Sequence, residues 1–243
     1  MKFKDFLIRI NEWDQKIILK YNNFGGKPFT YILKILSFFG RETFWISLIA
    51  FYLLIWYDPL LLSHISAIFL TGLILVVTIK HSVNRVRPFD KYDKNKLIIL
   101  ERKPKSKSFP SWHSYNVAAY GLLLGFILMK SPIITFLMQL LAVLVCFSRI
   151  QLGVHYPSDV IFGYFIGIIG FLISIYLVIP LIQISITYLE SLATHEIDYQ
   201  QINSMLLENF MYFVLCVIIY LAIAVSATFK YIKDYSKGRS HII

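Results

Sequence analysis

Apolar residues run along this chain in long unbroken blocks, not in the alternating or 3.6-period stripes of a soluble core. Six blocks contain no Asp, Glu, Lys or Arg: Thr43–Tyr57, Pro59–Ile79, Ser114–Met129, Ser131–Ser148, Val160–Leu189 and Phe210–Phe229. Several approach the ~20 residues a helix needs to cross a bilayer, and flanking aromatic and polar residues extend the shorter ones. A barrel would show alternating strands of about ten residues, so the blocks predict helices. The joints Asp58-Pro59 and Lys130-Ser131-Pro132 read as tight turns between antiparallel neighbours. The pattern predicts an all-α, polytopic membrane bundle of about six transmembrane helices.

Ahead of the blocks, Phe3, Phe6, Leu7, Ile10, Trp13 and Ile17 recur at helical spacing, with Lys2, Lys4, Arg9 and Lys16 largely on other faces. That suits an amphipathic helix lying in the membrane interface. It suits equally a helix packed on the protein's own base. Residues 1–20 lack the compact apolar core and small-residue cleavage site of a secretory signal peptide. The organisation expected is one membrane domain over residues 1–243. It comprises an interfacial amphipathic segment (1–40), a five-helix core (43–182), an acidic loop (183–206), and a sixth helix with a basic tail (207–243).

Composition agrees with the block pattern. Of 243 residues, 57% are hydrophobic and 16% charged, with a mean hydropathy of +0.64; a soluble domain carries about 25% charged residues. Cys146 and Cys216 lie deep in different blocks, which argues against a disulfide.

Charge then orients the bundle. Alternating helix directions place the termini, the Lys80–His113 loop and the Arg149–Asp159 loop on one side. Of the 24 Lys and Arg residues only Lys130 falls on the other, so the basic side is expected in the cytoplasm. The net charge of +10 reads as attraction to an anionic lipid bilayer. Nucleic acid is not expected as a partner, because the basic residues are spread over membrane-flanking loops.

The basic side also gathers three short motifs. In KHSVNRVRP, Lys80 and Arg87 are seven residues apart, which two helical turns would place on one face. Pro88 disfavours helix at Arg87 and marks the stop. PSWH, from Pro110 to His113, opens the third block, and SRIQLGVHYPSD carries Arg149, His155 and Asp159. Singly, each has a structural reading: Lys and Arg snorkel to headgroups, a His caps a helix, and Asp159 behind Pro157 suits a first turn. Together, three cations, two imidazoles and a carboxylate arriving from four helix ends describe an anion pocket, with phosphate the best-matched anion. His155 and Asp159 are i and i+4, so the carboxylate can hold one ring nitrogen and leave the other facing the pocket. That is the orienter–nucleophile half of a triad. His113 is placed to protonate a leaving oxygen. His64, His81 and His195 receive no role.

Taken in order, Lys80…Arg87-Pro88, Pro110-Ser111-Trp112-His113 and Ser148-Arg149…His155…Asp159 resemble the signature of the type 2 phosphatidic acid phosphatase superfamily, which also includes bacterial acid phosphatases and vanadium haloperoxidases. The resemblance spans about Thr43 to Pro180. It implies hydrolysis through a phosphohistidine, with no metal and no cofactor: His155 attacks phosphorus, Asp159 orients it, and His113 protonates the leaving alkoxide. Lys80, Arg87 and Arg149, helped by Ser111 and the amides near Trp112 and His113, would hold the phosphate oxygens. The family's second motif usually reads Pro-Ser-Gly-His; Trp112 in the glycine place would be strained if that position needs a positive φ. The implied partner is a membrane lipid phosphate such as phosphatidic acid, phosphatidylglycerophosphate or a polyprenyl diphosphate. A lipid phosphotransferase using the same intermediate, and a non-catalytic lipid or anion binder, stay open as alternatives. Oligomeric state is not legible.

Overall fold

The computed structural model describes residues 3–47, 59–92, 96–101, 103–194, 208–222 and 225. The described residues form helices and connecting loops, with no strand among them. In chain order the elements are α1 (Phe3–Tyr21), α2 (Gly26–Phe38), α3 (Pro59–Val83), the short α4 (Pro88–Lys91), α5 (Trp112–Leu122), α6 (Pro132–Gln151), α7 (Pro157–Ile173), α8 (Ile179–Ser191) and α9 (Phe210–Ala222). Among the described residues, three stretches are long and apolar enough to span a bilayer: Leu62–Lys91, whose helix α3 ends at Val83, Pro132–Gln151 and Pro157–Ser191. The first expected span, Thr43–Tyr57, is helical over residues 43–47 and otherwise lies outside the described residues, as do Asp58, residues 195–206 of the acidic loop with His195, and the basic tail.

Helix α5 is the centre of the bundle. Every residue from Ser114 to Gly121 is buried, and α3, α6 and α7 pack around it. The approach of α7 depends on glycine: a Cβ added at Gly163 would lie 2.6 Å from the Ser111 carbonyl oxygen, so only a bare Cα brings α7 this close to the start of α5. Outward faces are apolar, with Ile133, Phe136 and Tyr176 among the most exposed side chains. A soluble protein rarely tolerates such a surface; lipid tails cover it without cost.

The turn expected at Lys130-Ser131-Pro132 forms. α5 continues as a π-helix over Leu123–Leu128, Lys130 takes a positive φ, and Ser131 caps α6 by accepting the Ile134 amide. A second π-helical stretch, Ser174–Val178, joins α7 to α8. Pro180 at the start of α8 has no N–H to give the carbonyl four residues back, and the looser i→i+5 pattern absorbs that vacancy in the ladder. The helix therefore continues to Ser191, and residues 183–191 are helix where the sequence suggested loop.

The N-terminal segment divides in two at Gly25, which sits at φ +78°. Helix α1 packs against the base of the bundle, burying Ile18 and Asp14 completely while Phe6, Leu7 and Trp13 stay exposed. The Asn22 side chain bonds both ways to the backbone of Ile98 and donates to the Gln151 carbonyl. Gln151 in turn donates to Phe24 and Thr30. The α1–α2 pair is thus stitched to the loop that leaves α6, the loop bearing His155.

Candidate active site

Helix α3 ends earlier than the spacing of Lys80 and Arg87 implied. Asn84 adopts a left-handed conformation (φ 49°) and its amide bonds to the Lys80 carbonyl, a common way to close a helix. Residues 84–87 are non-helical, and Arg87 is extended before Pro88, as a pre-proline residue prefers. Lys80 and Arg87 are therefore not two turns apart on one helical face. The turn brings them together: the Lys80 ammonium donates to the Lys107 and Pro110 carbonyls at 2.8 and 2.7 Å, and Arg87 also donates to Lys107.

Arg87, 4% exposed, joins three segments. Its Nε and Nη2 donate to the carbonyl and hydroxyl of Ser106, and Nη1 donates to the Val154 carbonyl. Nη1 also lies 3.1 Å from His155 Nε2. A guanidinium carries donors only, so Nε2 must be the acceptor and the ring proton resides on Nδ1. Nδ1 lies 3.5 Å from Asp159 Oδ2 in the expected i,i+4 arrangement, without forming a hydrogen bond to it. Burial, then the positive charges of Arg87, Arg149 and Lys80, hold the His155 imidazole well below its ordinary pKa; the Ser108 backbone carbonyl opposes them. The ring is a neutral base with its lone pair on the cationic side.

Asp159, the third residue of α7, is fully buried and its two oxygens are divided between partners. Oδ2 accepts from the Tyr156 amide at 2.9 Å and from the Ser108 hydroxyl. Oδ1 accepts from Arg85 Nη1 at 2.7 Å. The Ser111 amide donates to the Asp159 carbonyl, fixing the start of α5 to the start of α7. Ser111 Oγ caps α5 by accepting the Ser114 amide.

The remaining predicted residues also gather here. His113, in the first turn of α5, has Arg149, Arg41, His155 and Arg87 as its principal charged neighbours, and its Nε2 has no hydrogen-bond partner. Gly40 backs onto His113 so closely that an added Cβ would lie 2.8 Å away. Arg149 is fully buried, but its Nη1 is engaged by Glu101 and Ser37, each at 2.5 Å; Glu101 also pairs with Arg41 at 3.1 Å. A carboxylate thus sits on one cation expected to meet phosphate. Trp112 is the first residue of α5, not a positive-φ position, so the anticipated strain is absent. Its indole stacks on Tyr115 at 5.5 Å and meets Phe69 edge-on, part of the core packing. His81 bonds to its own helix at the Val77 carbonyl, apart from this cluster.

Sequence reasoning missed Arg85, Asp14, Ser108 and Glu101. For Asp14 a signal existed: Ile10, Asp14 and Ile18 are spaced i, i+4, i+8, which puts a carboxylate on the buried stripe of α1. Arg85 sits within the KHSVNRVRP motif and was indistinguishable there from a headgroup-facing arginine.

The chain is 32% identical over 137 residues to an undecaprenyl-diphosphatase of Sulfolobus acidocaldarius; the match covers 56% of this chain and 64% of that protein. It is 28% identical to phosphatidylglycerophosphatase B of Bacillus subtilis, over 65% of this chain and 72% of that one. Its fold is similar to the crystal structure of the transmembrane PAP2-type phosphatidylglycerolphosphate phosphatase from Bacillus subtilis (TM-score 0.56, 22% identity, 77% and 90% of the two chains). It is similar to that of Aquifex aeolicus LpxE as well (TM-score 0.56, 22% identity, 66% and 93%). Residues 60–182, which carry every one of the three motifs, match the family model of the PAP2 superfamily, and this chain belongs to that superfamily.

Proposed function

We propose that the chain is an integral membrane phosphatase that hydrolyses a lipid phosphomonoester or diphosphate through a phosphohistidine, without a metal. The observation that carries this reading is the protonation geometry of His155: proton on the Asp159 side, lone pair at Nε2 facing Arg87. Nε2 attacks phosphorus as the bond to the leaving oxygen breaks; burial and nearby arginines hold His113 neutral in the free site, and the negative charge of the bound phosphate offsets them so that His113 takes up a proton and gives it to that oxygen. Asp159 stabilises the imidazolium character that develops on His155. Water, deprotonated by His113, then breaks the N–P bond and releases inorganic phosphate. Lys80, Arg87 and Arg149 neutralise the non-bridging oxygens, with Arg149 exchanging Glu101 for substrate. Preorganised charge of this kind in a water-poor site is the largest contribution available to phosphoryl transfer.

The relatives' names support a lipid-borne phosphate or diphosphate as substrate. The charge asymmetry of the loops supports a cytoplasmic catalytic face, and the apolar outer surface lets the acyl or prenyl chain remain in the bilayer while the headgroup enters. The test is phosphate release from phosphatidic acid, phosphatidylglycerophosphate and a polyprenyl diphosphate by purified protein in detergent. His155→Ala is expected to lose at least ~10²–10³-fold in kcat on every substrate cleaved. A variant turning over at the wild-type rate would remove His155 as nucleophile.

A further inference from the structure

Behind Asp159, away from His155, the structure holds a second polar cluster. Asp14 of α1 is fully buried. Its Oδ1 accepts the Ser158 amide at 2.8 Å, and its Oδ2 accepts the Ser158 hydroxyl at 2.6 Å. Ser158 is the second residue of α7, so Asp14 satisfies an orphan amide at that helix's N-terminus from a different helix. Arg85 then ties the two carboxylates together. Its Nη2 donates to Asp14 Oδ2 at 2.6 Å and to Asn11 at 3.2 Å; its Nη1 donates to Asp159 Oδ1 and Ser158 Oγ, both at 2.7 Å. The guanidinium carbon lies 4.2 Å from the centre of the Tyr156 ring.

From this arrangement we infer that Arg85 and Asp14 are positioning residues for the reaction, holding the Asp159 carboxylate turned toward His155, so that helix α1 is part of the catalytic apparatus. The inference rests on His155 as nucleophile. A buried carboxylate needs a partner for each oxygen, and Arg85 is the cation bonded to Oδ1 of Asp159. By pinning Oδ1, Arg85 also fixes the carboxylate plane, which leaves Oδ2 toward His155 Nδ1. Asp14 fixes the guanidinium in turn, through Nη2, and takes a share of its charge. The ionisable groups that face Asp159 are Lys80 in the last turn of α3, Arg85 just beyond it, Arg87, His155 and Tyr156; Asp14 reaches it through Arg85.

The full-length protein in detergent tests this with Arg85→Met, Arg85→Lys and Asp14→Asn, measuring phosphate release from phosphatidic acid, normalised to folded protein. Arg85→Met is expected to lower kcat about 10- to 100-fold, the usual cost of removing a group that orients another, with KM within about threefold. Arg85→Lys, which keeps a cationic donor for Asp159, should recover most of the rate. Asp14→Asn should lower kcat less than Arg85→Met, again with KM within about threefold. If Arg85→Met does not fold, the kcat loss at unchanged KM in Asp14→Asn and the recovered rate in Arg85→Lys decide the matter. A loss confined to KM, no loss, or an Arg85→Lys as slow as Arg85→Met would overturn the relay. With His155→Ala inactive, any of these results leaves the proposed phosphatase chemistry standing; an active His155→Ala removes both.

Discussion

Arg87→Lys keeps the charge at the site and removes the geometry, so it separates the two contributions. Arg87 donates to Ser106 O at 2.6 Å, Ser106 Oγ at 3.1 Å, Lys107 O at 3.3 Å, Val154 O at 2.9 Å and His155 Nε2 at 3.1 Å. These partners surround a planar fork; a lysine ammonium offers three donors from one atom and cannot reach both ends of it. At least two buried acceptors therefore lose their donor, at about 1–3 kcal/mol each. The expected destabilisation is about 2–6 kcal/mol, which for a chain of this size lowers Tm by roughly 4–24 °C. Catalysis suffers separately. Losing one well-aimed donor to the phosphoryl group costs ~3–4 kcal/mol, or about 10²–10³-fold in kcat/KM. The assays are thermal unfolding in detergent and phosphate release from a lipid phosphate. A variant within threefold of wild type in kcat/KM, with unchanged Tm, would refute the claim that Arg87 acts through its fork.

Two more outcomes follow from the same contacts. The His155 pKa is held well below its ordinary value by burial and by neighbouring cations, so the unfolded chain takes up this proton first as pH falls. The stability this neutral ring contributes is complete above pH ~6.5 and is lost below it, with a slope of up to ~1.4 kcal/mol per pH unit. In His155→Gln, Tm should fall less steeply on acidification than in wild type; parallel curves would show that the ring is not held neutral. Glu101 pairs with Arg149 and Arg41, and in the proposed mechanism it competes with phosphate for Arg149. Glu101→Gln should therefore strengthen inhibition by orthovanadate about tenfold, near the lower end of what one charge-assisted hydrogen bond is worth. An unchanged or weaker inhibition would mean that Arg149 does not meet the anion.

The sequence by itself determined the membrane class, the helical form and the superfamily, and it singled out the imidazoles, cations and carboxylate that the structure gathers. Charge-free blocks of this length have no stable alternative to a buried or lipid-covered helix. Local rules also hold where they depend only on neighbours: Ser131 caps α6, Arg87 is extended before Pro88, and His155 and Asp159 face each other across one turn. What failed was reasoning that extended a local period through a break. Asn84 ends α3, and the Lys80–Arg87 relation passes from helix geometry to a turn. Tertiary structure alone decided which charges meet. Arg149 finds Glu101, 48 residues away, and Arg85 finds Asp14, 71 residues away. Such pairings leave no periodic trace, because a buried charge selects its partner by proximity in space after the helices have packed. Glycines at the helix contacts, Gly163 above all, set how closely they pack.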